Sequence, residues 1–150
     1  MKKTINILLS LAFALSLAST VEAKRGSDGQ LNLLYWQAPS TMNPNLSGGT
    51  KELEASSIVL EPFARYDEKG NLLPWLAEVI PTVANGGISK DLTSITWRIK
   101  KGIKWSDGSA LTADDAIFTY EYCSNPDTGC AQSNYWADIK SVTAVNSSTV

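Results

Sequence analysis

The sequence predicts an α/β protein in which a mixed sheet is flanked by helices, and residues 95–122 carry most of that prediction. At 95–100 apolar and polar side chains alternate, a period of two that is typical of a strand with one buried face. An Asp-Gly pair at 107–108 indicates a turn. Thr112 follows, and Asp115 stands where a capping box usually has Glu. A helix is therefore expected to begin directly after Thr112.

The other predicted elements are short and are separated by turn sequences. Apolar runs predict strands at residues 31–36, 63–66, 71–73, 80–84, 139–145 and 149–150. The first of these runs is expected to be buried. Polar turns at 67–70 and 85–87 indicate two hairpins, the second ending in the strand at 94–100. Residues 51–60 are expected to form a helix, and 146–148 a turn.

Composition excludes several classes of function. The chain has 150 residues, which allows at most one domain, and its formal net charge of −2 offers no basic surface for nucleic acid. It contains no histidine, so catalytic triads and zinc sites that need histidine are excluded. Asp114 and Asp115 are the one visible carboxylate cluster, but neighbouring helical residues point about 100° apart. They suit helix capping better than acid–base catalysis, and no enzymatic activity is expected.

Residues 1–23 have the form of a secretory signal peptide. Lys2 and Lys3 give a basic start, and an apolar run follows at 5–18. This run is shorter than the about 20 residues that span a bilayer. A cleavage site resembling Ala-x-Ala ends at Ala23. We expect removal of this segment and a soluble mature chain outside the cytoplasmic membrane, most simply in the periplasm.

Cys123 and Cys130 are the two cysteines of the chain. In an exported protein two cysteines are more often bridged than free. The loop between them contains a proline and a glycine, which let the chain fold back. Closing a loop of this length would stabilise the fold by about 2.5 kcal/mol in the chain-entropy model. The alternative, a metal or redox pair, lacks both C-x-x-C spacing and a histidine partner.

Four motifs in order resemble one known family. They are Met-Asn-Pro at 42–44, Leu-Glu-Pro-Phe at 60–63, Leu-Pro-Trp-Leu-Ala-Glu at 73–78, and the strand–turn–helix stretch at 95–122 with K-x-G-x-K-W-S-D-G and L-T-A-D-D. Together they are similar to the extracytoplasmic solute-binding proteins of family 5, the peptide, dipeptide and nickel-type receptors of ABC importers. Met42 and Asn43 depart from the Leu-Asp that is commonest in the family.

The resemblance implies a periplasmic binding protein-like fold of class II, cluster C type. Residues 24–150 would form the N-terminal part of its first lobe, and the second lobe and the C-terminal return would be absent. We therefore expect an incomplete fold, an exposed sheet edge, and poor solute binding by this chain alone. A longer protein containing it would bind well.

The same resemblance implies a function without covalent chemistry. The receptor would capture peptides or a related small solute and deliver them to membrane permease subunits, as a monomer and without a cofactor. Nickel chelates, sugar-like ligands and opines also occur as solutes in the family. Two alternatives are a solute-sensing partner of a chemoreceptor and a truncated fragment that does not bind.

Two segments are candidates for contact with the solute. Gly48, Gly49 and Thr50 correspond to a family loop that offers backbone groups to an extended peptide, and glycine lets a ligand backbone approach closely. A plain turn is the other interpretation; the loop lacks the lysine and spacing of a P-loop. After the cysteine loop, the resemblance implies that Tyr135 or Trp136 packs on the peptide. The choice stays open, and both rings could simply cover that loop.

Overall fold

The computed structural model describes residues 29–150, so the expected signal peptide at 1–23 lies outside the described residues. The chain divides into two units, and 29–36 is the described part of the first. These residues have no helix or strand, and Leu34 is fully exposed. The prediction of a buried strand at 31–36 is therefore wrong. A strand needs a neighbour for its backbone hydrogen bonds, and no ladder in the described chain includes these residues.

The second unit, Gln37–Val150, contains two α-helices and a two-stranded sheet. The elements are helix α1 (Thr50–Ser56), strands β1 (Ala64–Tyr66) and β2 (Leu72–Pro74), helix α2 (Ala113–Ser124), and short 3₁₀ turns at Pro44–Leu46, Pro126–Thr128 and Ser133–Tyr135. Among residues 29–150, none of the helices has the length and apolar character that a membrane span requires.

Helix α1 lies where a helix was predicted but ends before residue 60. The hydroxyl of Ser56 donates to the carbonyl of Leu53 (2.9 Å), and that of Ser57 donates to the carbonyl of Glu54 (2.6 Å). Hydroxyls that bond the preceding turn compete with helical backbone bonding. The position of the predicted helix is therefore confirmed, and the helix is shorter than expected.

The first predicted hairpin is confirmed as the antiparallel pair β1–β2, in which Arg65 lies opposite Leu73. Asp67 fixes its turn, because one carboxylate oxygen accepts hydrogen bonds from the backbone N–H groups of Lys69 (2.9 Å) and Asn71 (2.8 Å). The side-chain amide of Asn71, followed by these N–H groups, lowers the pKa of Asp67.

Residues 95–100 are extended and are hydrogen-bonded on both sides. On one side the N–H of Lys100 donates to the carbonyl of Leu76 (2.9 Å). On the other, Trp97 and Val150 exchange two backbone hydrogen bonds of 2.7 and 3.0 Å. The segment predicted as a strand therefore lies between two neighbouring segments, but it joins them through isolated bridges and does not form a regular strand. Residues 149–150, expected to begin a strand, pair with it in the same way.

The apolar side chains of this segment are more buried towards its C-terminal end. Ile99 is 1% exposed, and Trp97 is half-buried with its ring stacked on Phe63 at 5.5 Å between centroids. Ile95 is 56% exposed, although the alternation placed it on the same face. Ile95 is the first residue of the segment and pairs with Ile88 in the second hairpin. The hairpin leaves Ile95 open to solvent.

The second hairpin forms with different arms from those predicted. It pairs residues 87–89 with 94–96, and 80–84 is not a strand. Asn85 explains the difference, because its side-chain oxygen accepts from the N–H groups of Thr82 (2.9 Å) and Gly87 (3.0 Å). These bonds hold the segment before the hairpin as a compact turn.

Residues 139–145 are also not a strand. The hydroxyl of Tyr120 lies 3.1 Å from the carbonyl oxygens of both Ile139 and Lys140. Its single proton can bond one of these carbonyls, which a sheet would otherwise use. The turn predicted at 146–148 is present, with the N–H of Val145 donating to the carbonyl of Thr149 (2.8 Å).

The predicted turn and helix start at 107–115 are confirmed. Gly108 has φ +90°, a conformation that favours glycine. Thr112 caps α2, since its hydroxyl accepts from the N–H of Asp114 (3.3 Å) while the carboxylate of Asp115 accepts from the N–H of Thr112 (2.7 Å). The buried Ala113 donates its N–H to the carbonyl of Ser147 (2.9 Å), which ties the helix start to the C-terminal turn.

Candidate ligand-binding site

Gly49 is the N-cap of helix α1, and its backbone is occupied within the protein. Its carbonyl accepts from the N–H groups of Glu52 and Leu53, both at 3.1 Å, and its own N–H donates to Ser47 Oγ (3.1 Å). A Cβ atom at Gly49 would lie 2.5 Å from Glu52 Oε2. Gly49 therefore makes room for a buried carboxylate, a role that the sequence analysis did not predict.

Gly48 and Thr50 present a different environment. Gly48 is exposed and has open space where a side chain would begin. Within the described residues its backbone N–H and carbonyl make no hydrogen bond. Thr50, the first residue of α1, is also exposed. Of the three residues predicted to contact the solute in this loop, these two can be reached from solvent.

An ion pair with a buried carboxylate lies beside the loop, and the sequence pattern did not indicate it. Glu52 is 2% exposed. Its carboxylate accepts from Lys51 Nζ, from the N–H of Ser40 (2.9 Å) and from Ser47 Oγ (3.3 Å). The Lys51 side chain, followed by the Ser40 N–H, lowers the pKa of Glu52 to about 2. An adjacent Lys-Glu pair is common on protein surfaces, so the sequence alone gave no signal of this burial.

Lys51 extends the same network to the chain before the loop. Its ammonium group donates to the carbonyl of Ala38 (3.2 Å) and to Ser40 Oγ (2.9 Å). The ion pair therefore connects residues 38–40 to the first turn of α1.

The second candidate segment is attached to the end of helix α2 by a disulfide. Cys123 and Cys130 are bonded, their Cα atoms are 5.0 Å apart, and both residues are buried. The structure thus contains the bridge that the sequence predicted. It fixes the start of residues 130–136 against the helix.

Hydrogen bonds join the two candidate segments. The N–H of Ala131 donates to the carbonyl of Asn45 (2.7 Å). The side-chain amide nitrogen of Gln132 lies 3.4 Å from the carbonyl oxygen of Pro44 and 3.3 Å from that of Ser47. An amide group has two N–H donors and can serve both acceptors. The base of the glycine loop therefore lies against the segment that continues to Tyr135.

The two aromatic candidates differ in their surroundings. Trp136 is half-buried, with its ring 5.9 Å from that of Tyr120. It lines a surface cleft of about 510 Å³ together with Pro126, Asn134 and Ile139. Tyr135 is 73% exposed. Trp136 thus has a packing role within the protein, whereas Tyr135 presents its ring to solvent.

Solved structures of solute-binding proteins share this fold. NikZ from Campylobacter jejuni in complex with Ni(L-His) has a TM-score of 0.64 and 28% identity, over 75% of this chain and 21% of its own. AppA from Bacillus subtilis in complex with a nonapeptide has a TM-score of 0.63 and 29% identity, over 74% of this chain and 21% of its own. These similarities define the class as extracytoplasmic solute-binding proteins and confirm the predicted fold class. The small sheet and two helices represent part of that fold.

The family follows from the sequence match. The family model described as bacterial extracellular solute-binding proteins, family 5 Middle, matches residues 71–150, more than half of the chain. The chain belongs to family 5 of these proteins, as its motifs predicted.

Two curated relatives are similar over most or all of the chain. A probable ABC transporter-binding protein of Deinococcus radiodurans is 32% identical over 164 residues, covering 100% of this chain and 26% of the relative. The oligopeptide-binding protein AppA of Bacillus subtilis is 28% identical over 148 residues, covering 92% and 26%. The chain thus spans about a quarter of the length of these relatives.

Proposed function

We propose that this protein is the receptor of an ABC importer and that it captures extended peptides outside the cytoplasmic membrane. One observation carries the proposal. In a family 5 chain, the glycine loop with its exposed Gly48 is hydrogen-bonded at its base to the segment that presents Tyr135.

Peptide is the solute class that this arrangement suits. Gly48 is an exposed residue, and its N–H and carbonyl can pair with the main chain of an extended ligand, as in strand addition. The exposed ring of Tyr135 offers a flat apolar surface with a polar end. A peptide is also the ligand named for AppA of Bacillus subtilis, one of the similar structures.

The mechanism requires binding and no covalent step. A solute shifts a two-lobed receptor towards its closed state only by its higher affinity for that state. The closed receptor then delivers the solute to membrane permease subunits. We propose a monomer that acts without a cofactor in the periplasm, after removal of residues 1–23.

Calorimetry of the complete mature protein tests the solute class. Random pools of tripeptides and pentapeptides are titrated, with Ni(L-His) as the competing class. Heat from the peptide pools is expected. Heat from Ni(L-His) alone, or silence with the peptide pools, would contradict the peptide assignment.

A pair of tyrosine variants tests the site. Tyr135→Ala should weaken pentapeptide binding about tenfold or more, because exposed aromatic residues often carry much of the binding energy at interfaces. Tyr66→Ala is the control, since Tyr66 lies on β1 and is 69% exposed. Equal pentapeptide affinity in the two variants would show that Tyr135 is not part of the binding site.

Cell fractionation and mass spectrometry test the export step. The mature protein is expected in the periplasmic fraction with Lys24 as its first residue. Cytoplasmic protein that retains Met1 would contradict the proposed localisation.

A further inference from the structure

Glu52 is buried directly beside the loop that we assign to peptide contact. At 2% exposure it cannot meet a solute itself. We propose that Glu52 is a positioning residue that holds residues 47–49 in the conformation from which Gly48 contacts the peptide main chain. This inference rests on the proposed function above.

The first support is a chain of hydrogen bonds with a defined direction. A carboxylate only accepts hydrogen bonds, so Ser47 directs its hydroxyl proton to Glu52 Oε2 (3.3 Å). The oxygen of Ser47 then has lone pairs available for the N–H of Gly49 (3.1 Å). The charge on Glu52 thereby sets the donor and acceptor arrangement of the loop.

The second support is the fit of Gly49 against the carboxylate. A Cβ atom there would meet Glu52 Oε2 at 2.5 Å. The N–H and carbonyl of Gly49 are already bonded within the loop and to the start of α1. The backbone of Gly48 is left as the polar surface of the loop that faces solvent.

The third support is the anchorage of Glu52 on its other side. Glu52 Oε1 accepts from the N–H of Ser40 (2.9 Å) and from Lys51, which itself bonds the carbonyl of Ala38 (3.2 Å). These contacts outside the loop therefore fix the position of the carboxylate independently of the loop. The carboxylate connects the loop to the preceding chain, and this lets one side chain determine where Gly48 lies.

The test compares Glu52→Gln with wild type in the complete mature protein. Glutamine keeps the size of the side chain but removes its charge and replaces one acceptor by a donor. The new donor either opposes the Ser40 N–H and Lys51 or reverses the hydrogen bond from the Ser47 hydroxyl. We expect pentapeptide-pool affinity to fall about tenfold, since a mobile loop must be ordered on binding. Hydrogen exchange at the Gly49 amide should become faster.

Gly49→Ala should weaken peptide binding by a similar factor. The Glu52→Gln, Gly49→Ala double variant should lose no more affinity than either single variant, because both changes act on one contact.

A stability-matched control separates positioning from general destabilisation. Ile99→Val alters a core residue in the extended segment 95–100, and it is compared at an equal distance below its own melting temperature. It should leave both pentapeptide affinity and Gly49 exchange at wild-type values. An equal loss of affinity in Ile99→Val and Glu52→Gln would overturn the inference.

The two proposals can fail separately. If wild-type protein binds none of the peptide pools, the peptide-receptor proposal fails. Amide exchange at Gly49 then remains as the test of whether Glu52 positions the loop. Wild-type exchange at Gly49 in Glu52→Gln would overturn the positioning role. Faster exchange there would support it.

Discussion

Ile99 and Ile95 belong to one alternating stretch, yet they differ in burial. Ile99 is 1% exposed and Ile95 is 56% exposed. Alternation decides which side of a strand a residue occupies, whereas burial depends on what covers that side. In this protein the cover extends over Trp97 and Ile99 and does not reach Ile95.

Alanine substitutions at these two positions test the assignment. Ile99→Ala should lower the free energy of unfolding by about 2–5 kcal/mol, because it removes buried methyl groups and leaves a cavity. Ile95→Ala should stay within about 0.5 kcal/mol of wild type. Urea unfolding measures both, and a similar cost at the two positions would contradict the observed burial.

At the scale of elements, the N-terminal cap of helix α2 is made by local contacts. Thr112 and Asp115 exchange reciprocal backbone–side-chain contacts within four residues of sequence. Interactions of this range need no tertiary partner, which is why the sequence predicted the helix start correctly.

Removing the cap should have a measurable cost. Thr112→Ala is expected to destabilise the protein by about 1 kcal/mol, the usual value for loss of an N-cap side chain. Thr119→Ala is the matched control; its hydroxyl bonds the carbonyl of Asp115 inside the helix (2.9 Å), and alanine is a better helix former. The cap assignment would be wrong if thermal unfolding shifted equally in the two variants.

The disulfide is the second local element with a predictable contribution. Replacing Cys123 and Cys130 by serine should lower stability by about 2.5 kcal/mol in the chain-entropy model, since the unfolded chain regains its freedom. Denaturant unfolding with and without reductant provides the measurement. Reductant should shift wild type towards the double variant and leave that variant unchanged. An unaltered wild-type midpoint under full reduction would contradict the contribution assigned to the bridge.

At the scale of the whole molecule, acidic pH should reduce stability through carboxylates that are stabilised in the folded state. Glu52 has a pKa of about 2 in the fold against an ordinary value of 4.5. As pH falls below about 4.5, the unfolded chain takes up a proton that the folded chain refuses until about pH 2. Hydrogen bonds from neighbouring groups lower the pKa of Asp67, Asp91 and Asp107 in the same direction.

The free energy of unfolding is therefore expected to be steady from pH 7 to about 5 and to fall between about pH 4.5 and 2. Urea midpoints across this range measure the fall. Glu52→Gln should show a smaller fall, because one of the responsible carboxyl groups is gone. Parallel pH profiles for wild type and this variant would show that Glu52 does not contribute.

The family and most turns could be predicted from sequence, and the placement of longer apolar runs could not. The hairpin at Asp67 and the turn at Gly108 follow from residues within a few positions of one another. The runs at 31–36 and 139–145 have strand-like composition, yet neither has a neighbouring strand in the described chain. A strand needs a partner segment, and the composition of an apolar run does not show whether the fold provides one.

The candidate site shows the same division. The sequence by itself determined where the glycine loop, the two cysteines and the two aromatic candidates lie, and it predicted the bridge, because glycine freedom, loop closure and ring chemistry are properties of the residues themselves. Only the tertiary structure brought the glycine loop against the segment of Gln132 and buried Glu52 beneath it. The hydrogen bonds of Gln132 join positions 85 and 88 residues apart, and the burial of Glu52 depends on the surrounding chain. Contacts over such separations are decided by the folded chain as a whole.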